Sequence, residues 1–401
     1  MKLHPNDLAL LGGPKSFSAI LPVGQINIPE WERFKIKADE IFDRKYYSNH
    51  GLLAQEFEEK LCELLNVTHA VTLTNATIGL ALACKALGLK AASKVIVPAF
   101  TFAASVQALT WAGLEPVFCD INPRTHNITA ETVAPHMKKQ GVSAVLGVHL
   151  WGNPCDISGL ELLSQEYGIP VFYDAAHAIG CTYQNQFFGA FGSCEVFSFH
   201  ATKVLSATEG GCVTTNDDAL AERLRNLRSS YGRRADVPIP VNANGRFSEM
   251  QAAFALLSLE DFAQNCAANK QRMQLYASHL HDLPGIRLVQ PSPGERHNYQ
   301  YVVFEIDKQA FGLDRDTLVK ILEAENILAR RYFVPGMHRC EPYKTDLPQY
   351  RDALPVTDSL CEKVMQLPSG QLVSNEDIGK ICELMRFIQT NATNITKALP
   401  Q

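Results

Sequence analysis

A lysine set between a strand end and a double glycine is the residue of this chain best placed to do chemistry. The run Phe197-Ser198-Phe199-His200-Ala201-Thr202-Lys203 leads through Glu209-Gly210-Gly211 to Cys212-Val213, the pattern of a strand end, a tight loop and a return strand. An amine partly withdrawn from water loses preference for its charged form and can attack a carbonyl carbon. Lys203 is therefore the candidate nucleophile. Alone it would read as a strand cap, but upstream an apolar run ends at Tyr173 and continues as Asp174-Ala175-Ala176-His177. A carboxylate at a strand end, followed by small residues that admit a ligand, can keep a pyridine nitrogen protonated and so make the ring an electron sink. An amine for an aldehyde and a carboxylate for a pyridinium together describe a site for pyridoxal phosphate. Two further strand ends suit the same ligand. Asn75-Ala76-Thr77 opens a helix, with free backbone N–H groups and a hydroxyl fit for a phosphate. Pro98-Ala99-Phe100-Thr101-Phe102 puts aromatic rings in a turn where one could lie flat on a heteroaromatic ring.

The elements that must position these residues read as α/β. Short apolar runs at Ala70–Thr74, Lys94–Val97, Pro116–Cys119, Ala144–Leu150 and Ile169–Tyr173 alternate with stretches of helical period. Near-continuous hydrophobic strands separated by helices predict a mostly parallel sheet covered on both faces, with chemistry in the loops beyond the carboxyl ends of the strands. Residues 1–50 read as an N-terminal arm with one helix over Trp31–Phe42, rich enough in Ile, Leu, Trp and Phe to pack across another subunit. Residues 51–265 form the large cofactor-binding α/β domain. Residues 266–401 supply a bridging helix, Asn269–Leu283, and a smaller C-terminal α+β domain. There helices are expected at Leu318–Glu325, Leu360–Met365 and Asn375–Gln389, before a loosely ordered polar tail. Asp236–Phe247 reads as a loop.

Composition excludes several classes of function. A net charge of −5 spread over 401 residues leaves no basic face for nucleic acid. The 11 cysteines include no CxxC pair and no Cys/His cluster at zinc spacing, so neither a disulfide framework nor a metal is expected. No run is long and apolar enough for a bilayer, and the expectation is a cytoplasmic protein.

Taken together, Val97-Pro98-Ala99-Phe100-Thr101-Phe102, Val148-His149-Leu150-Trp151-Gly152, Asp174-Ala175-Ala176-His177 and the segment from Phe197 to Gly211 resemble the DegT/DnrJ-type sugar-nucleotide aminotransferases. The likeness runs from Leu8-Ala9-Leu10-Leu11-Gly12-Gly13-Pro14 to Arg331-Tyr332-Phe333, His338 and Pro342-Tyr343. It implies the aspartate-aminotransferase fold, with Lys203 as the Schiff-base residue and Asp174 as partner of the ring nitrogen. It puts His177 beside the ring where relatives often have Gln, Ala76, Thr77 and Ser198 on the phosphate, and Phe102 stacked on the ring. It also implies a homodimer with shared active sites, into which Asn244 reaches from the neighbouring subunit. Some relatives replace the lysine by His and act as dehydratases; this chain keeps the lysine, which argues for transamination. The implied substrates are an amino-acid donor, as in most relatives L-glutamate, and a nucleotide-linked 4-keto-6-deoxyhexose such as dTDP-4-keto-6-deoxyglucose. Alternatives are a 3-keto nucleotide sugar, an amino-acid lyase or dehydratase of the same fold, and a regulator that binds pyridoxal phosphate without catalysis.

Overall fold

The computed structural model describes residues 2–24, 27–229 and 243–399; the part of the expected loop from 236 to 242 lies outside the described residues. In chain order the strands are β1 (His69–Leu73), β2 (Lys94–Pro98), β3 (Glu115–Cys119), β4 (Val142–Val148), β5 (Val171–Asp174), the short hairpin β6 (Thr182–Tyr183) and β7 (Gln186–Phe187), β8 (Glu195–Ser198), β9 (Gly211–Thr215), β10 (Ile286–Leu288), β11 (Val302–Ile306), β12 (Arg330–Arg331) and β13 (Val364–Leu367). Seven of them form one sheet in the order β1-β9-β8-β5-β4-β2-β3. Only β9 runs antiparallel to its neighbours; the other pairings are parallel. The strand, loop and return strand read around Lys203 are thus β8, residues 199–210 and β9.

The sequence builds this sheet by burying both of its faces. Along β2, Val95 and Val97 enter the apolar layer beneath one face while Ile96 enters the other, and all three are fully buried. Helices α1 (Trp31–Arg44), α2 (Leu52–Leu65), α3 (Ala76–Ala86), α4 (Ala103–Trp111), α5 (Ala130–Met137), α6 (Ile157–Tyr167), α7 (Asp218–Arg228) and α8 (Glu249–Glu260) accompany it. Residues of α3, α4 and α7 fill one layer, and residues of α2, α5, α6 and α8 the other. Buried strands of this kind take β-branched residues on both faces. α3, Ala-Thr-Ile-Gly-Leu-Ala-Leu-Ala-Cys-Lys-Ala, is apolar nearly all round because it lies between the sheet and α4 and α7.

The second sheet, β10-β11-β13-β12, is antiparallel. Its core takes in Met273 and Tyr276 of α9 (Phe262–Leu280), and also Leu8, Phe17 and Leu21 of the N-terminal segment. The segment is tied on by hydrogen bonds from the Ala9 and Ser16 amides to Glu325, at 2.7 Å each, and by a parallel bridge between Leu21 and Ile327. Residues 8–21 therefore pack on the small sheet of their own chain, while α1 leaves Trp31, Ile36 and Phe42 exposed.

Three local expectations change. Val364-Met365 belongs to the strand β13, not to a helix; the helix is Pro355–Lys363, opened by a proline at its first position, and β13 is buried along its whole length. A short apolar run has no period of its own, and here the vacancy between β11 and β12 decides it. The bridging helix starts at Phe262, with Asp261 alone separating it from α8. The tail carries a helix, Ala392–Ala398, held by the fully buried Ile395.

Candidate active site

Loops beyond the carboxyl ends of β1, β2, β4, β5 and β8 meet the small sheet around a cavity of about 390 Å³. Lys203 reaches it from the loop after β8. The side chain is buried, and its Nζ donates to the Tyr301 hydroxyl at 2.9 Å. Burial pushes the amine down to about 8, although Tyr332 and Asp174 favour its charged form. At pH 7.5 roughly a quarter of such amines are neutral, against about one in a thousand for an ordinary lysine. The loop is pinned from two sides: the Asn27 amide donates to the carbonyls of Lys203 and Val204 at 3.1 and 2.9 Å, and the Val204 amide donates to Gln300 Oε1 at 3.0 Å.

Asp174 ends β5 with its side chain in the same cavity. Burial raises its pKa, and two donors oppose that: Ser105 Oγ on Oδ2 at 2.7 Å and the Ala176 amide on Oδ1 at 3.0 Å. Ser105 in turn shares a 2.9 Å hydrogen bond with Thr101. His177 lies beside the Tyr301 ring, centroids 4.4 Å apart, and is stacked on Trp151 at 5.8 Å. Its Nδ1 accepts from the Trp151 amide at 3.2 Å, and burial with the nearby Lys203 amine holds the imidazole well below its usual pKa. A neutral ring accepting at Nδ1 carries its proton on Nε2.

At the far end of the cavity lies the start of α3. Asn75 caps it, its side chain accepting from the Ile78 amide at 2.9 Å, which leaves the Ala76 and Thr77 amides among the groups a helix cannot bond internally. Gly211 presses against this turn: a Cβ there would stand 2.6 Å from the Ala76 nitrogen. Ser198, at the end of β8, lines the cavity beside it. Phe102, the N-cap of α4, also lines the cavity and is 59% exposed, so its ring is uncovered.

An anion site of helix amides, a buried carboxylate, a partly neutral amine and an open aromatic ring fit pyridoxal phosphate. Of the residues singled out in the sequence, Ala76, Thr77, Phe102, Asp174, His177, Ser198 and Lys203 meet in this cavity. Asn244 does not line it; it is exposed, next to Gly245, whose carbonyl accepts from the Thr74 amide at 3.0 Å. Sequence reasoning missed Ser105, Gln300, Tyr301, Arg330 and Gln366, all of which line the cavity. For Ser105 a signal existed, since Thr101 and Ser105 are hydroxyls one helical turn apart at a strand end. Arg330 and Gln366 come from the small sheet and Gln300 and Tyr301 from the segment just before β11, and nothing in their local pattern marks them as site residues. Among the described residues, no group of three or more His, Cys, Asp or Glu side chains is placed to hold a metal ion, and no helix is long and apolar enough to cross a membrane.

The fold and this site define a pyridoxal-phosphate-dependent aminotransferase. The chain belongs to the DegT/DnrJ/EryC1/StrS aminotransferase family, matched over residues 30–386. It is 34% identical to the dTDP-4-amino-4,6-dideoxy-D-glucose transaminase of Shigella dysenteriae over 373 residues, 92% of this chain and 98% of the relative. It is 31% identical to the GDP-perosamine synthase of Vibrio cholerae, over 87% of this chain and 94% of the relative. Among solved structures, DesI, determined in the presence of its TDP-sugar product, superposes with a TM-score of 0.93 at 40% identity, covering 98% of this chain and 99% of that one.

Proposed function

We propose that this protein transfers the amino group of an amino acid, L-glutamate, to C4 of a nucleotide-linked 4-keto-6-deoxyhexose, dTDP-4-keto-6-deoxy-D-glucose. The observation that carries the reading is the sharing of one cavity by Lys203 and Asp174, in a chain that is 40% identical over nearly its whole length to DesI, a protein that yields a TDP-sugar product. When bound, pyridoxal phosphate supplies the electron sink that makes a proton on the carbon next to nitrogen removable.

Each residue then has a task. Lys203 Nζ would hold the cofactor and would serve as the base and acid at the substrate carbon; an amine pushed down to about 8 can both take and return a proton near neutrality. Tyr301, whose burial keeps its hydroxyl neutral, holds that nitrogen in place at 2.9 Å. Asp174, whose ionised form Ser105 and the Ala176 amide favour against the effect of burial, would pair with the ring nitrogen. His177 would offer its Nε2 proton, and Phe102 an open aromatic surface, to the bound cofactor. Ala76, Thr77 and Ser198 hold the phosphate. Arg330, exposed at the cavity mouth, offers a partner to an anionic group of the substrate. The active unit is a homodimer, with Asn244 serving the partner's site.

The test combines a spectrum with a product assay. Adding glutamate to the loaded protein should bleach its visible absorption, and the bleached protein should convert dTDP-4-keto-6-deoxyglucose to the 4-amino sugar, read by mass spectrometry. The matching 3-keto sugar and a GDP-linked 4-keto sugar should be converted at least tenfold less well; preference for either of them, or no bleaching with any amino acid, contradicts the assignment.

A further inference from the structure

Behind the cavity, hydrogen bonds and stacked rings connect the small sheet to His177. Shortly after β4 the backbone turns left-handed at Trp151, with φ 62°, and again at Gly152, with φ 89°. A residue with a Cβ holds that conformation at a cost, whereas glycine would hold it with none. The tryptophan is there for what its ring touches. It is 2% exposed, stacks on Phe333 with the ring planes 7° apart, and stacks on His177 from the same loop. Its indole N–H donates to His126 Nδ1 at 3.1 Å, and His126 Nε2 donates to Glu305 Oε1 at 2.7 Å. The directions are fixed by chemistry, since an indole nitrogen only donates and so leaves the His126 proton on Nε2. Glu305 lies in β11, so the far end of this connection is the small sheet.

The main chain of the turn is held as firmly as the ring. The Trp151 carbonyl accepts from His297 Nε2 at 3.0 Å, and the Trp151 amide donates to His177 Nδ1 at 3.2 Å. His177 itself is half-buried and lines the cavity; its Nε2 bonds to no described residue and is not sealed from solvent. Trp151 does not line the cavity, so whatever it does for the site it does through His177. We propose that Trp151 and His126 are positioning residues for the cofactor. The indole, moored to Glu305 through His126, holds the left-handed turn that aims the Trp151 amide at His177, and this keeps the Nε2 proton available to the cavity. The inference rests on the cofactor-binding role proposed for His177 and deepens it. An imidazole free to choose divides its neutral form between two tautomers, and only one of them offers a donor at Nε2.

Full-length protein labelled at the histidine ring nitrogens, with His177→Gln to assign the signal, reports the tautomer by nitrogen NMR. In wild type His177 should be unprotonated at Nδ1 and protonated at Nε2, and adding pyridoxal phosphate should shift the Nε2 signal. Trp151→Phe keeps a ring against Phe333 and His177 but has no N–H, whereas His126→Leu keeps the tryptophan and removes its acceptor. Both should show His177 averaged over two tautomers. Both should also bind pyridoxal phosphate about threefold to tenfold less tightly in a fluorescence titration. His126→Gln, which can accept from the indole and donate to Glu305, should recover the single tautomer and most of the affinity.

A wild-type His177 protonated at Nδ1 overturns the inference. Variants that lose thermal stability while His177 keeps one tautomer and the cofactor its affinity overturn it too, and reduce Trp151 and His126 to packing. If Trp151→Phe does not fold, the comparison of His126→Leu with His126→Gln decides, and equal defects in these two count against the proposal. None of these readouts needs a sugar. Should they come out as expected while no keto sugar is aminated, the proposed substrate falls and the role of the turn stands; should wild-type protein bind no pyridoxal phosphate, both fall.

Discussion

Lys203 and Asp174 work only if burial moves each of them in the right direction, and burial acts on them in opposite ways. It pushes the amine toward neutrality, which suits a nucleophile, and it pushes the carboxyl toward neutrality, which does not suit a partner for a cationic ring. Ser105 is the correction. Its hydroxyl donates to Asp174 at 2.7 Å and so favours the ionised form. Ser105→Ala should therefore raise the pKa of Asp174 further. The carboxylate is then lost earlier as pH falls, the acid limb of the pH–rate profile moves to higher pH, and kcat/KM drops on the order of tenfold on that limb while recovering toward wild type at high pH. Ser105→Thr, which keeps a hydroxyl, should restore the profile. A uniform loss at every pH would show that Ser105 only fills space. His177 and Tyr301 belong to the same logic: both are held neutral by burial, so each presents a polar group to the cavity without adding charge.

At the level of elements, the phosphate end of the site depends on how closely β9 approaches the first turn of α3. Gly211 makes that approach possible, because a methyl group there would sit 2.6 Å from the Ala76 nitrogen, with backbone and not a flexible side chain in the way. Gly211→Ala should push the turn outward, costing about 1–3 kcal/mol of stability and weakening cofactor binding by on the order of tenfold or more. Thermal unfolding and fluorescence titration with pyridoxal phosphate would measure the two effects. A stability loss with unchanged affinity would mean that the α3 amides do not hold the phosphate.

The same elements show what a sequence discloses. Strands buried on both faces announce themselves as unbroken apolar runs, so the sheet and the residues just past its strand ends, Asn75 to Thr77, Asp174 and Lys203, are legible. Gln366, in β13, and Tyr301, just before β11, are not, since they approach the site only after the small sheet folds against the large one, and their local pattern is that of any buried apolar run. The start of β13 reads as helix for a related reason: four buried residues have no period.

For the whole molecule, two features look outward. α1 exposes Trp31 at 65%, Ile36 at 62% and Phe42 at 60%, and Asn244 is exposed and does not line the cavity of its own chain. Large exposed apolar side chains of this kind are where a second copy would be expected. In the proposed homodimer, Lys203 and Asn244 of one working site come from different subunits. Lys203→Ala and Asn244→Ala proteins should each be impaired, yet their heterodimer, isolated with two different tags, contains one intact site in two. It should recover about half the wild-type rate. A heterodimer no faster than the mean of its parents would confine each site to a single chain.

All of this depends on one amine, at position 203, holding the cofactor beside the carboxylate of Asp174. Borohydride reduction of the loaded protein, followed by proteolysis and mass spectrometry, tests that attachment without relying on turnover. A single pyridoxyl phosphate label is expected on the peptide containing Lys203, and none in Lys203→Ala; a label on another lysine in active wild-type protein would contradict the assignment.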